Sequence, residues 1–182
     1  MGRLHYIMKT NNLVRAAVFA AMLCAAAPLA VNIGPIPLTF GTFIIYMAGG
    51  VLGKKLASVA VAVYILLGAF GLPVFSGFSG GFGKLFGPTG GYIIGYIPLA
   101  YLSGLFIDGE NAAIRRGALG MVIGTVVLYA FGTAWFMLQM SKPLLPALTA
   151  CVLPFLPGDA AKIIVSALCS PVIRRRVMRL RA

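Results

Sequence analysis

The stretch LPGDAAK, residues 156–162, sets a carboxylate at Asp159 and an ammonium at Lys162 in a chain that otherwise avoids charge. Spaced by three, the two side chains lie on one face of any helix they share. Pro157 and Gly158 mark a helix start just ahead of them. Asp159 then falls in the first turn, where the positive end of the helix dipole favours an anion. Three chemistries fit such a pair. It neutralises itself as a salt bridge at the head of a helix. It offers an acceptor and a donor side by side to a small ligand with N–H groups at one end and a carbonyl or anion at the other. Or Asp159 acts as a base and Lys162 as an electrostatic stabiliser in an enzyme working on a lipid-like substrate.

Other chemistry is hard to assemble from these residues. The single histidine, His5, stands near the start of the chain, and Cys24, Cys151 and Cys169 are scattered through apolar runs without zinc or redox spacing. No metal, no nucleophilic constellation and no cofactor is expected. The run GGVLGKK, residues 49–55, imitates a phosphate-binding loop, but Ala48 stands where its first glycine belongs and Lys55 where Ser or Thr is required. The chain is therefore not its own ATPase. A net charge of +12 suggests nucleic acid in a soluble protein, yet no basic stripe interleaved with aromatics on a soluble fold is present. The placement of the basic residues carries more information than their sum.

The elements that must position the pair are membrane spans. Sixty per cent of the 182 residues are hydrophobic and 10% are charged, against roughly 25% charged in a soluble domain. Apolar runs approaching the ~20 residues that cross a bilayer recur along the chain. They predict an all-α integral membrane protein, a single polytopic domain over residues 1–182, with residues 1–7 read as a tag or an alternative start before Met8. Six spans are laid out: Leu13–Val31, Phe40–Leu52, Leu56–Gly71, Tyr92–Ile107, Ala118–Leu138, and a last one from Gly158 that ends before Arg174. The proline-bounded segment Pro143–Pro154 is too short to span and is read as re-entrant or interfacial.

Twelve of the fifteen basic residues (Arg3, Lys9, Arg15, Lys54, Lys55, Arg115, Arg116, Arg174, Arg175, Arg176, Arg179 and Arg181) fall on one side of this layout; Lys84, Lys142 and Lys162 fall on the other. The excess marks the cytoplasmic side. The reading is a multi-pass protein of the cell membrane with both termini cytoplasmic. Its long Gly/Pro-rich connections then face outward, and long ordered loops are usually functional. Of the three acids, Asp108 and Glu110 sit in a cytoplasmic turn, which leaves Asp159 alone with an address in the membrane. A carboxylate there costs about 2.5–3.5 kcal/mol on insertion scales and must face a cavity or a partner.

Several residues are expected around it. In PTGGY, residues 88–92, Thr89 is placed as the N-cap of the fourth span, and Gly91 lets a ligand approach the backbone beside Tyr92. Helix packing through Gly91 and Gly95 explains those glycines equally well. Phe75, Phe78, Phe82 and Phe86 on the outer loop are placed to close over an apolar ring, or serve as ordinary anchors at the membrane interface. One buried acid and no inverted repeat argue against a self-sufficient carrier, and favour a binding subunit that takes its energy from a partner. In the first span Ala16 and Ala20, and Ala17 and Ala21, are spaced by four and permit close helix approach, to a partner or within the chain.

Four segments together resemble BioY, the biotin-specific S-component of energy-coupling factor (ECF) transporters. They are GPIPLTF at 34–40, YILLGAFGLPVF at 64–75, GPTGGYIIGY at 87–96 and LPFLPGDAAK at 153–162. The resemblance covers nearly the whole chain. It implies an S-component-like fold of six transmembrane helices that captures biotin from outside and associates with a transmembrane coupling protein and a pair of ATPases. It implies that Asp159 accepts from the ureido N–H groups of biotin, while Lys162 meets either the ureido carbonyl or the valerate carboxylate. By the same analogy the small-residue face of the first span contacts the coupling protein, and the subunit tips in the bilayer when the partners use ATP. An S-component for another vitamin is the neighbouring alternative, since one fold serves several ligands. Gly41 is a departure: many members carry Gln there, so a polar contact of the first loop is either missing or supplied by Thr39 or Thr42.

Overall fold

The computed structural model describes residues 2–32, 36–107 and 114–179; the turn carrying Asp108 and Glu110, Gly34 and Pro35 of the GPIPLTF segment, Met1 and Arg181 lie outside the described residues. In chain order the elements are α1 Gly2–Ala26, β1 Ala30–Asn32, β2 Pro37–Thr39, α2 Gly41–Leu52, α3 Lys54–Ala69, α4 Phe82–Leu85, α5 Gly90–Leu105, α6 Ile114–Met140, α7 Leu144–Cys151 and α8 Leu156–Arg179.

Each of the six expected spans has its helix: α1, α2, α3, α5, α6 and α8. Among the described residues, only α6 and α8, the latter over Leu156–Val177, suffice by length and composition to cross a bilayer unaided. The others are short of the ~20-residue requirement, and in α1 the fully described residues contribute the apolar stretch Thr10–Ala26. The proline-bounded segment forms α7, eight residues long.

The α2 helix runs through the middle. Ten of its twelve residues are buried, as expected of a helix that is apolar all round, and α1, α3, α5 and α8 all pack on it. Small side chains permit this: a Cβ at Gly49 would lie 2.6 Å from the Cβ of Ser103 on α5, and one at Gly50 would collide with Ser170 on α8. Gly53, at φ +78°, turns the chain from α2 directly into α3, and its N–H bonds to Gly49 O at 3.0 Å. On the far side of the bundle α5 and α6 form a hairpin with glycine-rich contacts, so that Tyr92 seats its ring against Gly132 and Gly91 lies beneath Trp135.

Three expectations are corrected. The last helix begins at Leu156, not Gly158, and runs on through Pro171 to Arg179 instead of ending before Arg174. Arg174 folds back and donates to Val51 O at 3.0 Å, so the basic turn extends the helix past its apolar part. Thr89 precedes α5 but makes no side-chain capping bond. Finally, the first span ends at Ala26, not Val31, and the chain continues as an antiparallel hairpin with Val31 opposite Leu38. Strands of three residues are too short for alternation to be read from the sequence.

Candidate ligand-binding site

The hairpin, the first turn of α2 and the first turn of α8 converge on one point. β2 delivers the carbonyl of Thr39, α2 delivers Thr42, and α8 delivers Asp159 and Lys162. Asp159 is buried, with 4% of its surface exposed. An ammonium has three N–H donors, and Lys162 Nζ gives one each to Asp159 Oδ1, Thr42 Oγ1 and Thr39 O, all at 2.9 Å. The Thr42 hydroxyl donates in turn to Asp159 Oδ1 at 3.3 Å. The second carboxylate oxygen, Oδ2, accepts from the Tyr129 hydroxyl on α6 at 2.6 Å. Every strong polar atom at the centre therefore has a partner, which is the condition for placing a charged pair in a low-dielectric interior.

The pair grips itself and also opens on a hollow. The hollow has a volume of about 40 Å³ and is open on one side. The hairpin residues Ile36, Pro37, Leu38 and Thr39 form one wall, and Tyr92 and Tyr96 of α5 another. Leu128 and Tyr129 of α6 with Cys151 and Phe155 around the end of α7 complete it, and Thr42, Asp159 and Lys162 sit at its polar end. Aromatic and aliphatic walls around one carboxylate and one ammonium suit a small ring-bearing molecule with N–H donors. Among the described residues no group of three or more metal-ligating side chains occurs.

Of the residues singled out from the sequence, the fold brings Thr39, Tyr92, Asp159 and Lys162 to this hollow. Thr89 and Gly91 do not line it; Gly91 is buried under the Trp135 side chain, so its role is to let α5 approach α6. Phe75 is also elsewhere: it is fully buried, edge-on to Tyr64 with ring centroids 5.6 Å apart, and its ring fills the space over Gly68. Phe78, Phe82 and Phe86 are exposed and outside the hollow. The loop carrying them is tied down by the Trp135 indole, whose Nε1–H donates to Gly87 O at 3.0 Å. The alanines of α1 divide into two faces. Ala16 and Ala20 are buried against Ala60 of α3, whereas Ala17 and Ala21 are exposed.

Tyr129, Tyr96, Leu128, Cys151 and Phe155 were missed. Tyr129 had a signal: with Thr125 and Thr133 it makes a polar row at intervals of four in an apolar helix, hence one helical face. Thr42, reached only as a stand-in for the residue absent at Gly41, is central. Replacing it by valine removes the acceptor of one Lys162 N–H and a donor to Asp159 while preserving shape. We expect Thr42→Val to fold normally and to weaken ligand retention about five- to tenfold, near 1 kcal/mol for a net hydrogen bond. Equilibrium binding to the purified variant checks this.

Known proteins share this arrangement of the chain. A family model described as the BioY family matches residues 2–179. The biotin transporter BioY of Thermotoga maritima is 38% identical over 159 residues, covering 87% of this chain and 92% of that one. The biotin transporter BioY of Rhodobacter capsulatus is 33% identical over 179 residues, covering 90% and 93%. Among solved structures, the S-component for biotin from an ECF-type ABC transporter superposes with a TM-score of 0.83 at 28% identity, covering 92% of this chain and 93% of that one. With the family model spanning nearly its full length and relatives this similar along their own, the chain belongs to the BioY family.

Proposed function

We propose that this chain is the biotin-capturing S-component of an ECF-type uptake system in the cell membrane. It takes biotin from outside and passes it inward with a coupling protein and ATPases, and does no chemistry of its own. The observation that carries the reading is the Asp159–Lys162 pair, 2.9 Å apart, at the polar end of an aromatic-lined hollow. In this reading Asp159 accepts from the ureido N–H groups, Lys162 meets the ureido carbonyl or the valerate carboxylate, and Tyr92 and Thr39 flank the ring. Its likeness to biotin transporters and to an S-component for biotin supports it, and stands against the alternative of an enzyme using Asp159 as base.

The topology belongs to the same proposal. Six helices cross the bilayer with both termini in the cytoplasm, the shorter ones spanning where the packed bundle thins or tilts the surrounding lipid. The exposed Ala17 and Ala21 face of α1 is the one left for a coupling protein, since α3 already covers Ala16 and Ala20.

Tritiated biotin retained stoichiometrically by the purified subunit in detergent, with thiamine and riboflavin failing to compete, is the expected result. Competition by either vitamin would move the chain to an S-component of different specificity, and release of a modified product would point to an enzyme.

A further inference from the structure

The hollow beside Asp159 is tight. At about 40 Å³ it holds a few waters, each needing roughly 10–15 Å³ on this measure, less than a bicyclic ring occupies, and a wall that moved would enlarge it. One of the two lone pairs of Asp159 Oδ2 is also engaged, by the Tyr129 hydroxyl at 2.6 Å. Tyr129 is itself one of the residues that wall the hollow.

Tyr129 also borders a second space. Between α6 and α8 runs an apolar groove of about 300 Å³, walled by Val122, Val126, Leu156, Ala160 and Ile164, with Tyr129, Thr125 and Asp159 along its inner side. Its position suits the tyrosine ring, since long side chains on a helix point back toward its N-terminus, and Thr125 lies one turn in that direction. The groove also offers the displaced hydroxyl a partner. Thr125 donates its proton to Met121 O at 2.8 Å, so the 2.6 Å contact with Tyr46 has Tyr46 as donor. A hydroxyl oxygen accepts twice, which leaves Thr125 one lone pair facing this side of α6.

We propose that Tyr129 is the side chain biotin displaces: its hydroxyl holds Asp159 Oδ2 in the ligand-free chain, and its ring turns into the α6–α8 groove when a ligand N–H takes that oxygen. The proposal rests on the biotin reading above and extends it. The tyrosine then selects among ligands, because only one presenting an N–H donor at this depth compensates Asp159 for the hydroxyl it loses. Small apolar molecules gain nothing by opening the wall.

The test is the time course of tritiated biotin binding to the purified chain. Tyr129→Phe keeps the ring but has no hydrogen bond to break, and is expected to bind at least fivefold faster without weaker retention at equilibrium. Ala160→Leu, at an exposed groove position, is expected to slow association at least tenfold, and to slow it not at all when combined with Tyr129→Ala. Fluorotyrosine placed at position 129 alone gives a reading independent of those variants: its fluorine resonance shifts on adding biotin. An unmoved resonance in a chain that retains biotin overturns the displacement and leaves the biotin reading standing. So does a Tyr129→Phe chain that binds no faster, or Ala160→Leu slowing both backgrounds alike. A parent chain that retains no biotin overturns both.

Discussion

Asp159→Asn is expected to lower biotin affinity about 10- to 100-fold while the helices stay in place. Three donors converge on this carboxylate, from Lys162, Thr42 and Tyr129. An ionised carboxylate accepts on both oxygens, whereas an amide accepts on one side and donates on the other. With its amide nitrogen toward Lys162 the asparagine sets donor against donor, and with that nitrogen toward Tyr129 the hydroxyl must turn to accept, which leaves no acceptor on that side for a ligand N–H. The carboxylate's charge-assisted bond to a ligand N–H, worth roughly 1.5–3 kcal/mol, is lost as well, and each 1.4 kcal/mol is a factor of ten. Equilibrium binding of labelled biotin measures the loss, and circular dichroism of the same sample reports the helices. If the pair served only to neutralise itself, Asp159→Asn combined with Lys162→Met, which removes both charges, would bind as the parent does. That result would take the pair out of the site.

The second large effect is on stability, and comes from a residue far from the hollow. Gly104 on α5 backs onto the corner between α2 and α3. A Cβ there would sit 2.6 Å from the carbonyl carbon of Gly53 and press on the backbone nitrogen of Lys54. Backbone cannot rotate away as a side chain does, and this corner is already committed to φ +78° at Gly53, a conformation that favours glycine. Gly104→Ala is therefore expected to destabilise the chain by about 3 kcal/mol, the upper end for overpacking, seen as a lower thermal midpoint in detergent. Gly83→Ala is the control: its Cβ would meet nothing within 4 Å, and it is expected to leave the midpoint unchanged. Because α2 also carries Thr42, a shifted corner is expected to weaken ligand retention too.

Much of the fold is legible because the bilayer imposes a simple rule. Backbone groups in hydrocarbon must be satisfied within the chain, so each apolar run had to be helical, and all six have their helix. The centre of the site is legible for a related reason. A lone carboxylate in an apolar chain has few affordable positions, and Lys162 three residues on could only share its face. The outer loop was misjudged on the same evidence that made it conspicuous. Phe75 and Phe78 are three apart in one glycine-rich stretch, and composition does not distinguish the ring that is fully buried over Gly68 from the one left exposed.

By itself the sequence determined that the chain lives in a membrane, that its helices lie where the apolar runs are, and that Asp159 and Lys162 share one helix face, since these depend on local hydropathy and helical spacing. Only the tertiary structure decided what stands around the pair. Thr42 and Tyr129 reach Asp159 across sequence separations of 117 and 30 residues, and the two alanine faces of α1 are told apart only by α3 lying on one of them. Contacts between helices depend on which small residues let two backbones approach, and that choice is made by the whole packed bundle, where no short stretch of sequence records it.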